Sequence, residues 1–362
     1  MQDLSLTVLL LGIWGAAAGQ LQTNHTFTDP TRADRQIPVD FRYPENLTEP
    51  APLIAFGHGF AMSAGDYDDL ATELVSAGYI VGLVDTESGL APSHEDFGLD
   101  LVYVLEASDT DITEGPLAGL VLPVGVLAGH SMGGGAAWLA AASGSGAVGA
   151  VVGLAPAETN PSAIVAAPSV TCPALVISGS ADAVTPPAEH HWPIHDASTA
   201  SPCLSFVNLV DGGHCGFADA LTVCDIGELF FNGMSRAEQQ ARTLDVLIPW
   251  LDSQLLGDPA AWSEFVGYTA PDVEITTTCA GASAVVAFAE ERFLPFPNPA
   301  STSLNIPSSC TAEAWDLWGR SLPIVQNTKG QLDVSAWPRG WAVIRVTRSS
   351  GESTPPARVL LQ

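Results

Sequence analysis

The sequence from about Asp34 to Leu255 alternates between short apolar runs and amphipathic stretches, and this alternation constrains the fold most strongly. The apolar runs are Ile37–Tyr43, Pro52–Phe56, Tyr79–Val84, Val124–Ala128, Ala147–Leu154, Ala174–Ser178 and Leu204–Val210. Helical spacing is found in Asp66–Ala77, Ala136–Ala142 and Glu238–Leu251. Strands that alternate with helices form βαβ units around a parallel sheet whose strands are apolar along their length. We therefore predict an α/β protein with a mostly parallel sheet and helices on both faces.

The charge balance limits the classes of partner. The chain has 40 acidic and 12 basic residues, and its net charge is −28. Such a surface repels phosphate backbones and anionic lipids, so we expect no nucleic-acid partner and no stable membrane insertion. A dense carboxylate surface favours solubility in salty water, and the alternative is an acidic face that recruits a cationic partner.

The N-terminus has the pattern of an export signal. An apolar run, Leu4–Trp14, is followed by the small residues Ala16–Gly19, which suit a cleavage site. The run is too short to span a bilayer. It lacks the usual positive charge in front, and the alternative is a buried first strand or helix. We predict a signal peptide over residues 1–19 and a secreted or cell-surface protein.

Six cysteines fit an exported protein, because disulfides persist outside the cytosol. If all six pair, fifteen connectivities are open. Two pairs are favoured by position: Cys172 with Cys203, since each precedes an apolar run, and Cys215 with Cys224, which would close a short loop. Buried free thiols are the alternative.

The strongest chemical motif is Gly129–Gly134, with the sequence GHSMGG, which follows the apolar run Val124–Ala128. A helix is predicted to begin near Gly135. A serine between a buried strand and a helix, flanked by glycines, is typical of a nucleophile elbow, in which the strained turn exposes the hydroxyl. We predict that Ser131 is a catalytic nucleophile. The alternative is an ordinary strand-to-helix turn.

A serine nucleophile needs a base and a carboxylate that orients the base. In proteins with a nucleophile elbow, the acid and then the histidine follow the serine along the chain. Asp182 lies just beyond the run Ala174–Ser178, and His214 follows the run Leu204–Val210 in a glycine turn. We predict these two as acid and base, with Asp211 as a reserve acid. The alternatives are a helix-capping aspartate and a surface-loop histidine.

The remaining histidines are not predicted to act as the base. His130 is predicted to pack beside the elbow, and His25 lies near the mature N-terminus. His190, His191 and His195 follow Asp182 at a predicted helix start, where a metal site with Asp196 is an alternative. No metal or organic cofactor is needed by the predicted chemistry.

An oxyanion hole requires two backbone N–H groups aimed at the tetrahedral oxygen. One is expected from Met132, directly after the nucleophile, and the other from the loop after an earlier strand. The segment Gly57–Phe60 (GHGF) follows such a strand, and Phe60 is the predicted second donor. A plain tight turn is the alternative.

At these residues the chain resembles the cutinase-like, dienelactone-hydrolase and chlorophyllase-like branch of the α/β hydrolases, over roughly residues 31–255. The matching segments are Arg35–Pro44, Leu53–Phe60, Val84–Thr86, the GHSMGG elbow, Gly179–Pro187 and Gly213–His214. The resemblance implies the α/β-hydrolase fold, oxyanion amides from Phe60 and Met132, and a substrate contact from the Phe60 ring. We predict His58, Gly59 and His130 as further substrate contacts. Ala155–Ala157 stands where polyester hydrolases usually carry a tryptophan, and Ser131 stands where a dienelactone hydrolase has cysteine.

The pattern changes after Trp262, and from Phe293 onward it becomes short alternating runs such as Leu304–Ile306 and Trp341–Val346, which predict a small all-β sandwich. This part resembles a type IX secretion sorting domain of the Bacteroidota. The matching segments are Phe296–Pro299, Asp316–Arg320, Gly340–Trp341 and Ala357–Gln362. The resemblance implies the type IX secretion machinery as a partner, and a substrate-binding sandwich is the alternative.

The predicted domains are a catalytic domain over residues 31–269, a linker over 270–292 and a sorting domain over 293–362. The predicted function is a secreted, monomeric serine hydrolase that cleaves carboxylic esters of small molecules, lipids or polymers. A peptidase or another acyl hydrolase of the same fold is one alternative. A non-catalytic binding protein on a hydrolase scaffold is the other.

Overall fold

The computed structural model describes residues 19–220, 222–279, 302–305, 310–316, 320–327, 331–348 and 357–361. The chain divides into two compact units. The larger contains the described residues up to Ile248 together with Tyr268–Thr278, and the smaller contains Pro249–Gly267 and the described residues from Cys279 onward. The predicted signal peptide lies outside the described residues except for Gly19.

A nine-stranded sheet forms the centre of the larger unit. Its strands are β1 Gln20–Asp29, β2 Arg35–Pro44, β3 Leu53–Gly57, β4 Ile80–Val84, β5 Gly125–His130, β6 Val148–Leu154, β7 Ala174–Gly179, β8 Cys203–Leu209 and β9 Val273–Cys279. Their order is β1-β2-β4-β3-β5-β6-β7-β8-β9. The neighbours from β4 to β8 are parallel, whereas β1 and β2 form an antiparallel hairpin against β4. The predicted parallel sheet is confirmed, and β9 lies where a linker was predicted.

Helices alternate with these strands along the chain, and they confirm the α/β class. The helices are α1 Asp68–Ser76, α2 His94–Asp111, α3 Met132–Ala141, α4 Ala163–Ala166, α5 His191–Ala197, α6 Arg236–Leu255 and α7 Pro259–Gly267. Short 3-10 turns cover Pro30–Arg32, Ala64–Tyr67, Ala167–Ser169, Cys215–Phe217 and Val223–Ile226. The predicted start of α3 near Gly135 was wrong, because the helix begins directly after Ser131 and takes the glycines into its first turn.

Helix α2, which was not predicted from the sequence, crosses the core beside α3. Its apolar spacing is interrupted by Asp100, which is fully buried. Arg35 Nη2 lies 2.6 Å from one Asp100 oxygen, and Arg32 Nη2 lies 2.7 Å from the other. A buried carboxylate is tolerated when cations and hydrogen bonds compensate its lost hydration. The helix therefore buries a carboxylate among apolar side chains.

The smaller unit contains two small sheets that share a core. Its strands are β10 Ser303–Asn305, β11 Cys310–Asp316, β12 Gln331–Asp333, β13 Gly340–Arg348 and β14 Ala357–Leu361. β10 pairs with β12, and β13 lies between β11 and β14. Leu304 and Leu332 of the first sheet pack in one cluster with Ala342 and Ile344 of the second. The predicted all-β module is confirmed here, and the motif residues Phe296–Pro299 and Leu317–Gly319 lie outside the described residues.

The cysteines bear out one of the two favoured pairings. Cys215 and Cys224 form a disulfide, as predicted. The pairing of Cys172 with Cys203 was wrong, because Cys172 is a free thiol and Cys203 is disulfide-bonded, as is Cys279. Ala174 pairs with Leu204 across β7 and β8, so Cys203 falls opposite Pro173 rather than Cys172. Adjacent positions of an extended chain point to opposite faces, which separates the two thiols.

Among the described helices, none is both long and apolar enough to cross a bilayer.

Candidate active site

The turn between β5 and α3 holds Ser131 in a strained backbone conformation. Its φ is 54° and its ψ is −119°, a region that L-residues seldom occupy. At two positions near it, Gly129 and Gly133, only a glycine fits. A Cβ on Gly129 would lie 2.3 Å from the Gly133 carbonyl carbon, and one on Gly133 would lie 2.1 Å from the Gly57 oxygen. The glycines of the motif are therefore required by the close approach of three backbone segments.

Backbone hydrogen bonds fix this turn from both sides. The Ser131 amide donates to the Leu154 carbonyl at 3.0 Å. The Ser131 carbonyl accepts from Gly135 at 3.1 Å and from Ala157 at 2.8 Å. The serine keeps 7% of its surface exposed. The predicted nucleophile thus sits at the carboxyl end of a central strand, partly open to solvent.

The two predicted oxyanion donors lie on segments that touch each other. Met132 is the first residue of α3, and the first four amides of a helix have no carbonyl partner within the helix. Phe60 lies in a turn closed by a hydrogen bond of 3.1 Å from the Met62 amide to the Gly59 carbonyl. That loop follows β3, whose last residue packs against Gly133. The Phe60 side chain is 52% exposed beside this turn.

Asp182 and His214 form a buried hydrogen-bonded pair, in the chain order that the sequence predicted. Asp182 follows β7, His214 follows β8, and Nδ1 of the ring lies 2.7 Å from Oδ2 of the carboxylate. The other carboxylate oxygen accepts the amides of Val184 and Thr185, each at 2.8 Å. Burial alone would raise the pKa of Asp182. The hydrogen bond and charge of His214 and the Thr185 amide outweigh it and lower that pKa below its ordinary value.

Asp211, the reserve acid, has a different position. It is exposed, its φ is 59°, and its amide donates to Ser180 Oγ at 2.9 Å. The structure pairs His214 with Asp182 instead.

A second buried histidine joins this pair through a hydroxyl, a connection that no sequence pattern indicated. Thr185 Oγ1 lies 2.9 Å from Asp182 Oδ2, 2.9 Å from His214 Nδ1 and 3.1 Å from His191 Nε2. His191 Nδ1 lies 2.7 Å from Ser178 Oγ. Burial, followed by the charges of His214 and His190, lowers the pKa of His191 to about 3, although Asp182 opposes the shift. His191 is therefore neutral, and its role is to hold the Thr185 hydroxyl.

Side chains from α6 and the preceding loop hold the backbone of His214. Gln239 accepts from the Gly213 amide at 2.9 Å and donates to its carbonyl at 2.8 Å. The Glu228 carboxylate accepts from the amides of His214 at 2.5 Å and Cys215 at 2.8 Å. Arg236 donates to the Cys215 carbonyl at 2.5 Å and forms an ion pair with Asp225. These bonds and the Cys215–Cys224 disulfide leave the loop that carries His214 little freedom.

His58 and His130, two of the predicted substrate contacts, already have hydrogen-bond partners within the protein. Both rings are buried, and His58 binds the carbonyls of Gly59 and Thr86, each at 2.8 Å. Gly59 is also buried and donates its amide to Tyr67. His130 does pack beside the elbow, as predicted, with its ring centroid 4.7 Å from that of His214. These three residues support the loops, and only Phe60 of the predicted set presents a side chain to solvent.

The other histidines lie in separate environments. His190 accepts the Glu158 amide at 2.9 Å, and His195 lies 2.9 Å from the Asp196 carboxylate. His25 packs on Phe27 in β1. Within the part of the chain that the structure describes, no group of three histidine, cysteine or acidic residues is arranged to hold a metal ion.

The comparison with known proteins agrees with this geometry. Residues 38–249, more than half of the chain, match the family described as PET hydrolase-like. A comparison with curated proteins gives no match. The matched range contains the elbow, the acid, the base and both predicted oxyanion segments. The chain therefore belongs to the PET hydrolase-like family, whose members are hydrolases that act on esters.

Proposed function

We propose that the protein is a secreted serine hydrolase that cleaves carboxylic esters through an acyl-enzyme. The observation that carries this proposal is the buried Asp182–His214 pair. The His214 ring packs against the ring of His130, the residue directly before Ser131. Asp182 holds Nδ1–H of the imidazole, which leaves Nε2 as the base for the serine proton. The strained elbow keeps that hydroxyl at the carboxyl edge of the sheet.

In the first half of the reaction, His214 takes the Ser131 proton and the serine oxygen attacks the ester carbonyl. The amides of Phe60 and Met132 bind the oxyanion, and His214 then protonates the leaving alkoxide. In the second half, water attacks the acyl-enzyme with the same histidine as base. The carboxylic acid leaves and Ser131 regains its proton, so no cofactor enters the balance.

Apolar side chains around the site favour an ester with an apolar acyl or alcohol part. Phe60 and Val184 are exposed on the loops that carry the second oxyanion donor and the acid. Gly227 packs against Val184, which places the exposed Ile226 beside it. Burying such a side chain against a substrate is worth roughly 1.5–3 kcal/mol. A neutral, apolar ester also avoids the repulsion that a net charge of −28 exerts on an anionic substrate.

The decisive experiment is the variant Ser131→Ala of the full chain. We expect loss of p-nitrophenyl ester hydrolysis and of labelling by a fluorophosphonate probe, with an unchanged circular dichroism spectrum. Ser108→Ala is the matched control, because this buried serine donates only to the Val104 carbonyl within α2. Full turnover by Ser131→Ala would refute the proposal.

A panel of short-chain esters, long-chain esters, polyester film and peptides separates the ester hydrolase from a peptidase. Cleavage of peptides alone would favour the peptidase. A wild-type protein that neither hydrolyses esters nor reacts with the probe would favour the non-catalytic binding protein.

Export through the type IX machinery, attachment outside the cell and a monomeric state complete the proposal. The Cys215–Cys224 disulfide is compatible with an extracellular location. Immunoblots of culture medium from a host with and without a working type IX system test the route. Analytical ultracentrifugation of the mature protein tests the monomer.

A further inference from the structure

A chain of buried hydrogen bonds connects the oxyanion loop to the loop of the catalytic histidine. The Gly59 amide donates to the Tyr67 hydroxyl at 2.9 Å, and that hydroxyl lies 2.8 Å from His130 Nδ1. His130 Nε2 lies 3.0 Å from the His214 carbonyl. Tyr67 and His130 are both fully buried. The three loops that carry the donor, the nucleophile and the base are thus joined through two side chains.

The partners fix where each proton lies. The His214 carbonyl can only accept, so His130 Nε2 carries a proton and a neutral ring accepts at Nδ1. The Tyr67 hydroxyl then donates to Nδ1 and uses an oxygen lone pair for the Gly59 amide. Met62 Sδ, 3.3 Å from the hydroxyl, is the weaker alternative acceptor. Each strong donor among these hydrogen bonds therefore has one acceptor. Donation runs in one direction, from the Gly59 amide to the His214 carbonyl.

A neutral ring at position 130 also suits the chemistry next to it. Burial, followed by the charge of His214, lowers the pKa of His130 well below its ordinary value. His214 becomes an imidazolium during catalysis, with the two ring centroids 4.7 Å apart. A second positive charge at that distance would oppose proton transfer from the serine.

We propose that Tyr67 and His130 are positioning residues that hold the Phe60 amide and the His214 loop at the correct positions relative to Ser131. This inference rests on the proposed function. Gly59 directly precedes Phe60, so a shift of the Gly59 amide moves the predicted oxyanion donor. The carbonyl of His214 belongs to the catalytic base itself. A loss of the connection disturbs two of the three catalytic groups without touching the substrate.

The test uses the full chain with Tyr67→Phe, which removes only the hydroxyl. We expect kcat for a p-nitrophenyl ester to fall about 10- to 100-fold, less than the loss of a whole oxyanion donor, while KM changes by less than about 3-fold. Phenylboronic acid forms a tetrahedral adduct with an active-site serine, and its Ki should rise by the same factor. Tyr103→Phe is the control, since that hydroxyl also binds the backbone, by donating to the Thr28 carbonyl, but outside the site.

A merely structural role predicts a different result. Tyr67→Phe would then lower the melting temperature but leave kcat per titrated active site equal to that of Tyr103→Phe, and this outcome would overturn the inference. A wild-type enzyme without ester hydrolysis would instead refute the proposed function, so the two failures are distinguishable.

A second pair of variants applies if Tyr67→Phe does not fold. In His130→Gln the side-chain amide can still accept from Tyr67 and donate to the His214 carbonyl, whereas His130→Leu can do neither. We expect the glutamine variant to retain at least about 5-fold more kcat than the leucine variant, a difference of about 1 kcal/mol. Equal losses in the two would overturn the inference.

Discussion

The two halves of the candidate active site are held by different physical means. On the nucleophile side, Ser131 is fixed by backbone packed against backbone, with glycines at Gly57, Gly129 and Gly133. On the acid–base side, His214 and Asp182 are fixed by buried side-chain hydrogen bonds from Thr185, Glu228 and neighbouring residues. An added atom disrupts such packing abruptly, because packed interiors do not deform continuously. A hydrogen-bond network loses one bond at a time, so its failures should be graded.

The largest effect is expected on the nucleophile side from Gly133→Ala. The new Cβ would lie 2.1 Å from the Gly57 oxygen, 2.3 Å from its carbon and 2.7 Å from the His58 oxygen, all of them backbone atoms. We expect ester hydrolysis to fall by about 100-fold or more, since a shift of about 1 Å at reacting groups costs that much. Gly65→Ala is the control, because nothing lies within 4 Å of its Cβ position. Wild-type activity in Gly133→Ala would contradict the claim that the nucleophile side fails abruptly.

The next effect is expected on the acid–base side from Thr185→Val, which keeps the shape but removes the hydroxyl. Asp182 then loses a donor, and His191 Nε2 loses its contact with the Thr185 hydroxyl. We expect kcat/KM to fall about 10-fold, which corresponds to about 1.4 kcal/mol. Thr243→Val serves as control, since the Thr243 hydroxyl donates to the backbone carbonyl of Gln239 within α6. Equal kinetics of the two variants would show that the hydroxyl does not support the acid.

The neutral His191 also predicts how stability depends on pH. Its pKa is about 3 in the folded chain, against an ordinary 6.5, so between these values the unfolded chain binds one more proton at this position. The free energy of unfolding should therefore fall as pH decreases from about 6.5 to about 3. His191→Gln should remove up to about 1.4 kcal/mol per pH unit from that slope. Urea titrations across this range measure it, with His25→Gln as the matched histidine variant, and an unchanged slope would contradict the assignment.

The smallest effect is expected from Glu228→Gln. The carboxylate accepts two amides of the catalytic loop, and a glutamine keeps one oxygen but loses the charge. Because Gln239 and Arg236 hold the same loop, we expect kcat/KM to fall only about 3-fold. Glu238→Gln, an exposed position at the start of α6, controls for the change in net charge. A loss as large as that of Gly133→Ala would show that the polar half also fails abruptly.

The steric half of the site could be predicted from the sequence. Glycines at fixed positions between an apolar strand and a small-residue helix indicate an elbow, because few other arrangements need them. The chain order of serine, acid and histidine then located Asp182 and His214, and the structure brings these two together at 2.7 Å. The parallel sheet followed from apolar runs that are buried on both faces.

The polar half could be predicted only in part. Tyr67, Thr185 and Glu228 have no signature of their own, since each lies in a segment whose pattern describes only its local structure. The helix α2 was missed because two arginines from the N-terminal hairpin region bury Asp100 within it. Cys203 was wrongly paired because a shift of one residue in strand register, invisible in the sequence, turns a side chain to the other face.

The sequence by itself determined the fold class, the strained serine turn and the order of the predicted catalytic groups. These depend on backbone sterics and apolar periodicity, which act between near neighbours in the chain. The tertiary structure decided which of the other histidines are buried as neutral supports and which buried hydroxyls connect them to His214. Those choices depend on hydrogen bonds and burial between residues that are distant in sequence, and only the folded chain brings them within reach.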